Sequence, residues 1–222
     1  ALNGSNEIST ITKKRVIEIA KKYNYRPNKI ALGLKFGKTY TIAVIIPSVQ
    51  NSFFARALYG IESVISSTKY SSIICLTGES HEKEVSNFDV LSNGVVDGFI
   101  VAVSLETQTL GDFNHFSNVL NEGKSLVMFD CVIDEIPCTK VKTNDYAAIL
   151  KATKNLISSG RKKILFLSTI YNSNVGKQRS EGYKKSMIDS DLEPFILESN
   201  IDDIEIRLEN HIIENKIDAV IA

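Results

Sequence analysis

A helix that crosses a bilayer needs about 20 consecutive, mostly apolar residues, and this chain contains no such run. No segment is therefore expected to span a membrane. Cysteine is scarce. Cys75, Cys131 and Cys138 sit at unpatterned spacings, which argues for free thiols in a reducing, cytosolic compartment. Histidine is as scarce: His81, His115 and His211 are scattered, with no HxxxH or CxxC partner. Each reads as a surface or satisfied residue, and no metal is expected. Gly-rich phosphate loops of the GxxxxGK[ST] or GxGxxG type are absent, and no nucleophile–base set is evident. Neither an enzyme nor a bound cofactor is expected. Residues 1–6 are small and polar, unlike a secretory signal. The chain has no initiating Met, opens on a helix-closing Asn3-Gly4, and stops inside the apolar run Ala219, Val220, Ile221. It is expected to be a fragment of a longer protein.

What is present is a core and a divided charge. Apolar residues make up 43% of the 222 positions, enough for one large or two ordinary domains. The formal net charge is zero. Residues 1–39, however, carry nine Lys/Arg against two Asp/Glu, a balance of +7, and residues 40–222 carry seventeen against twenty-four, a balance of −7. A basic head on an acidic body is the pattern of a nucleic-acid-binding arm on a soluble effector domain.

The head reads as a helix from an N-cap at Ser9 to about Tyr23. Val16, Ile17, Ala20 and Tyr23 follow helical spacing, with lysines on the other faces. Its narrow apolar stripe needs a partner. Arg26-Pro27-Asn28 breaks the chain, and the short basic stretch 29–36 contains Gly33, a poor helix interior residue. Such a short helix is marginal alone. After a linker at 37–39 the character changes. Continuous apolar runs at 41–47, 98–103, 125–129 and 163–168 read as buried parallel strands. Further strands are expected at 72–76, 140–143, 194–198 and 219–221. Between them stand helical patterns at 53–69, 82–92, 109–122, 145–158, 177–189 and 203–214. That alternation implies βαβ units.

The residues resemble the lactose/purine repressor (LacI-type) family of bacterial transcription regulators over nearly the whole chain. Ala1-Leu2-Asn3-Gly4 is similar to the tail of the family's DNA-reading helix, and Ile8-Ser9…Thr12…Arg15-Val16 to its third head helix. Tyr25-Arg26-Pro27-Asn28…Ala31…Leu34 resembles its hinge, and Lys38-Thr39…Ile42 to Pro47 its linker and first core strand. Asn51-Ser52-Phe53-Phe54, Val96-Asp97-Gly98-Phe99-Ile100, Phe129-Asp130, Leu156-Ile157…Gly160-Arg161-Lys162-Lys163-Ile164 and Arg179-Ser180-Glu181-Gly182-Tyr183 follow in family order. The resemblance implies an α/β fold. A two-lobed periplasmic-binding-protein-like core with parallel sheets would follow a helical DNA-binding head remnant and a hinge helix. It divides the chain into a head remnant (1–25), hinge and linker (26–39), first lobe (40–144) and incomplete second lobe (145–222). The first head helices and the C-terminal part would be missing.

The same resemblance assigns candidate sites. In the hinge, Leu34 would wedge between base pairs in the minor groove, with Lys35 beside it. Arg26, Asn28, Lys29 and Lys38 would meet phosphates, and Ala31 shares the DNA-facing hinge motif. The alternative is an ordinary linker whose Leu32 and Leu34 pack on the core. The family commonly has Arg where Leu32 stands, so one basic contact is in doubt. In the core, the family binds its effector between the lobes at the carboxyl ends of the strands. Phe53 and Phe54 would offer aromatic faces to a sugar or purine ring or form a core pair, and one could do each. Ser104 and Asp130, both after strands, would hydrogen-bond hydroxyls. Arg179 would form charge-assisted bonds to the ligand, the alternative for it and Asp130 being an interlobe or surface ion pair. Thr143-Asn144-Asp145 departs from the family's acidic-then-Asn pattern, which leaves the polarity of the interlobe edge open.

The reading that combines these features is a dimeric, cytoplasmic repressor. Its core would bind a small molecule, by family frequency a sugar, and control operator DNA through the hinge. A periplasmic sugar-binding protein shares the two-lobed fold, but a basic helix and hinge stand where its export signal would be. A sugar-modifying enzyme lacks visible catalytic groups.

Overall fold

The computed structural model describes residues 8–25, 37–199 and 203–222. It divides the chain into two compact units, Ala1–Tyr40 and Thr41–Ala222. The described part of the first unit is dominated by α1 (Thr10–Lys22). Ser9 caps it, its hydroxyl accepting from the Thr12 amide at 3.3 Å. No residue of α1 is buried, and Ile11, Ile17 and Ile19 are exposed. The hinge residues Arg26, Asn28, Lys29, Ala31, Leu34 and Lys35 lie outside the described residues, as do Ala1-Leu2-Asn3-Gly4.

In the second unit strands and helices alternate. β1 (Thr41–Ile46), α2 (Ser52–Ile65), β2 (Ser71–Leu76), α3 (His81–Ser92), β3 (Gly98–Val101), α4 (Leu105–Leu110), α5 (Asn114–Asn121), β4 (Ser125–Phe129) and β5 (Thr139–Val141) come first. Then follow α6 (Asp145–Ser158), β6 (Ile164–Ser168), α7 (Asn174–Ile188), β7 (Phe195–Glu198), α8 (Ile204–Asn215) and β8 (Ala219–Ile221). The strands form a five-stranded sheet, β2-β1-β3-β4-β5, and a three-stranded one, β7-β6-β8. Every strand pair in both sheets is parallel.

The apolar runs follow from burial on two faces. Successive side chains of a strand point to opposite faces. On β1, Ala43 and Ile45 enter a cluster with Phe88, Phe99, Val101 and Met128, while Val44 and Ile46 enter another with Phe54, Ile65 and Phe129. All four β1 residues are fully buried, so no polar position interrupts the strand. Phe88 stacks on Phe99 with ring centroids 4.5 Å apart. In the second sheet Tyr183 is the pin. Fully buried and stacked on Phe166, it donates to the Ile164 carbonyl at 2.6 Å and accepts from the Phe195 amide at 2.9 Å. That burial pushes its phenol up to about 12.

One expected element is wrong. The helical pattern at 109–122 is two helices, α4 ending at Leu110 and α5 beginning at Asn114. Gly111 takes a left-handed φ of 69° as the C-cap of α4, a conformation glycine adopts at little cost. Asp112 then accepts from the Asn114 amide at 3.1 Å, turning the chain into α5. Apolar periodicity runs through both pieces and hides the break.

Candidate interlobe effector site

Parallel sheets gather their strand ends, and the register here does so closely. Ile45 pairs with Val101, Val101 with Met128, and Phe129 with Val141. The loops after β2, β3, β4 and β5 therefore leave from one edge, where open α/β sheets place ligands. Asp130 follows β4 directly. Its amide donates to the Val141 carbonyl at 2.9 Å, and its φ is +58°, a left-handed conformation that aspartate tolerates better than most residues.

Burial raises the Asp130 carboxyl above the usual carboxylate range, and the nearby Asp145 charge adds to the rise. A Cys131 hydrogen bond and the Arg179 charge oppose it. Cys131 donates to Asp130 Oδ2 at 3.5 Å. Burial is the main cause holding that thiol far above its ordinary range, with the Asp130 charge next, so it stays a protonated donor. Glu79, in the turn after β2, is raised for the same first reason, with Glu84 and Asp130 adding to it. Carboxylates thus converge at this edge.

Arg179, on α7, donates from Nε to Asp145 Oδ1 at 2.9 Å. Asp145 begins α6, and its other oxygen accepts from Thr143 Oγ1 at 2.9 Å. The Arg179 side chain keeps 36% of its surface exposed and Asp145 only 10%. Both the ion pair and an accessible guanidinium face are therefore present. The structure brings Asp130, Asp145 and Arg179 within electrostatic reach of one another.

The aromatic pair divides its work. Asn51 caps α2 by accepting from the Phe53 amide at 2.9 Å, and Phe53 is 44% exposed. Phe54 is 6% exposed and meets Phe53 and Phe129 edge-to-face at 5.3 and 6.4 Å. Of the two roles left open for the pair, the Phe54 ring takes the core one, packed with Val44, Ile46, Ile65 and Phe129.

Ser104 is fully buried, and its hydroxyl lies 2.8 Å from Thr107 Oγ1 while its amide donates to Glu84 Oε2 at 2.7 Å. Those contacts are all within the first sheet's helices and turns.

Sequence reasoning missed Gln108 and Asn174. Gln108 Oε1 accepts from the Asn174 amide at 3.0 Å, and Asn174 Nδ2 donates to the Val132 carbonyl at 3.4 Å. These residues are 66 and 42 positions apart in the chain, so no local pattern could reveal them. A shallow depression of about 580 Å³ bordered by Lys124, Ser125, Pro137 and Thr139 lies elsewhere, at the amino ends of β4 and β5. That is the wrong end of a parallel sheet for the ligand site described.

Comparison with known proteins agrees with this geometry. Residues 39–216 match the family model described as periplasmic binding proteins and sugar binding domain of LacI family. The Ribose operon repressor of Haemophilus influenzae is 29% identical over 205 residues, covering 90% of this chain and 60% of that protein. Catabolite control protein A of Priestia megaterium is 29% identical over 195 residues, covering 86% and 56%. The chain thus spans about 60% of the curated relatives it matches. Among solved structures, the Cra transcriptional dual regulator from Pseudomonas putida in complex with fructose 1-phosphate superposes with a TM-score of 0.71. It is 18% identical, over 82% of this chain and 67% of that one. A LacI family transcriptional regulator from Enterococcus faecium with bound ribose gives 0.69 at 20% identity, over 81% and 65%. At such identities these two likenesses speak for the fold. With four-fifths of its length matched by the family model, the chain belongs to the family of periplasmic binding proteins and LacI-type sugar-binding domains.

Proposed function

We propose that this chain is the effector-binding and hinge-bearing part of a LacI-type transcription repressor. It carries no catalytic role in this reading, and the protein acts as a cytoplasmic homodimer on operator DNA. Residues 1–25 are read as the remnant of the head, 26–39 as hinge and linker, 40–144 as the first lobe and 145–222 as part of the second. The observation that carries the reading is Asp130 at the carboxyl edge of the first sheet with Arg179, on α7 beyond the second sheet's β6, within electrostatic reach of it. A carboxylate and a guanidinium with an exposed face stand together, and Phe53 is exposed at the start of α2. Carboxylates accept from hydroxyls, guanidinium donates in pairs, and an aromatic ring covers the apolar face of a sugar. Ribose and fructose 1-phosphate in two structural relatives and the repressor names of the curated relatives support a sugar effector and a DNA target. The basic 1–39 segment supports the same target. Effector binding would shift the population of lobe closures and so the approach of the two hinges.

Fluorescence anisotropy of the natural full-length protein on DNA from upstream of its own gene tests this. Nanomolar-range specific binding that changes on adding a sugar is expected. Binding no tighter to that DNA than to unrelated DNA, or untouched by any of a panel of sugars and sugar phosphates, would overturn it.

A further inference from the structure

The first backbone N–H groups of a helix have no partner within the helix. At α7 Ser173 Oγ accepts from the Gly176 amide at 2.9 Å. The Asn174 amide is satisfied from the other sheet's side, by Gln108 Oε1 on α4. The orientation of the Gln108 amide is fixed by its own partners: Nε2 donates to the Val103 carbonyl at 3.0 Å and the Ser104 carbonyl at 3.4 Å. Only the oxygen is left to face α7.

Beneath the start of α4 lies a carboxylate with no solvent exposure at all, Glu84 on α3. Its oxygens accept from the Ser104 amide at 2.7 Å and Thr107 Oγ1 at 2.8 Å, with His115 Nε2 at 3.0 Å. A buried carboxylate is costly unless its hydrogen-bonding capacity is filled. Here the filling ties α3, the start of α4 and α5 together.

We propose that Gln108 is a positioning residue that caps α7 from the first lobe, holding the lobes in register, and that Glu84 fixes the start of α4, the helix from which it reaches. α7 also carries Arg179, so this contact sets where the guanidinium stands relative to Asp130. The inference extends the effector reading, since closure is the motion that reading uses. It is tested without any effector, so each can fail alone.

The test is amide-resolved hydrogen exchange on the ligand-free full-length protein. Gln108 is partly exposed and its removal spares the core. Gln108→Ala is expected to speed exchange at the Asn174 amide about tenfold or more, while the β6 amides of Leu165 and Phe166 keep their rates. Glu84→Gln loses one set of acceptor contacts and is expected to move Asn174 in the same direction by less. Should that variant fail to fold, Thr107→Ala removes one of the Glu84 ligands and is expected to give the same sign. Exchange at Asn174 equal in parent and Gln108→Ala would overturn the cap. Unchanged exchange in the Glu84 or Thr107 variant, with the Gln108 effect intact, would overturn the role of Glu84.

Discussion

Arg179 and Asp145 are joined Nε to Oδ1 at 2.9 Å across two helices, 34 positions apart in the chain. The pair holds the guanidinium through Nε, and on the proposed reading the remaining nitrogens of this planar cation would face the effector. Replacing Arg179 by Ala in the complete protein is expected to abolish the effector's influence on DNA binding while leaving effector-free DNA affinity nearly intact. Calorimetry is expected to show at least a tenfold loss of effector affinity, about 1.4 kcal/mol. Unchanged affinity would remove Arg179 from the site.

The pH dependence of stability tests Asp130. Burial, aided by the Asp145 charge, raises its folded-state value above the ordinary 3.8, so the folded chain binds its proton more tightly than the unfolded one. The resulting stabilisation is fully present below pH 3.8 and is lost as pH rises through the folded value. Asp130→Asn removes this loss. Thermal melts are expected to show the variant gaining on the parent from pH 4 to pH 7, and a difference that stays flat or reverses would contradict the shift.

The hinge reading rests on the sequence, because residues 26–36 lie outside the described residues. Leu34 is expected to act as the minor-groove wedge. Leu34→Ala in the full-length dimer should weaken specific operator binding by about 1–3 kcal/mol and reduce DNA bending. Non-specific binding and its salt slope should hardly change. A lowered melting temperature with unchanged operator affinity would make Leu34 a packing residue instead.

Most strands and helices were legible because their signal is local. The run at 41–47 needed only its own unbroken apolar character, the mark of burial on both faces, and Ser9, nine residues into the chain, caps α1 as its side chain suggests. The edge of the site was legible where a residue follows a strand, as Asp130 does. Ser104 also follows a strand, but its full burial, and the Glu84 carboxylate that α3 brings to its amide, left no trace in the local sequence. His115 read as a surface or satisfied residue, and its Nε2 does meet a partner, but that partner is Glu84, 31 positions away and not nameable from the sequence. Burial and partners of that kind belong to the packing of separate elements, and no spacing in one stretch of chain records them.

Gly182 lies where any Cβ would collide with the carbonyl oxygen of Tyr146, so α7 and α6 touch backbone to backbone directly beside the residues that begin and cross the site. Two helices in such contact cannot slide independently without breaking it. Asp145 and Arg179 therefore ride on one rigid block, and their mutual orientation is settled at folding. On the proposed reading, an effector would meet a dyad whose ordering entropy has already been spent, which would leave more of the interaction free energy to drive closure.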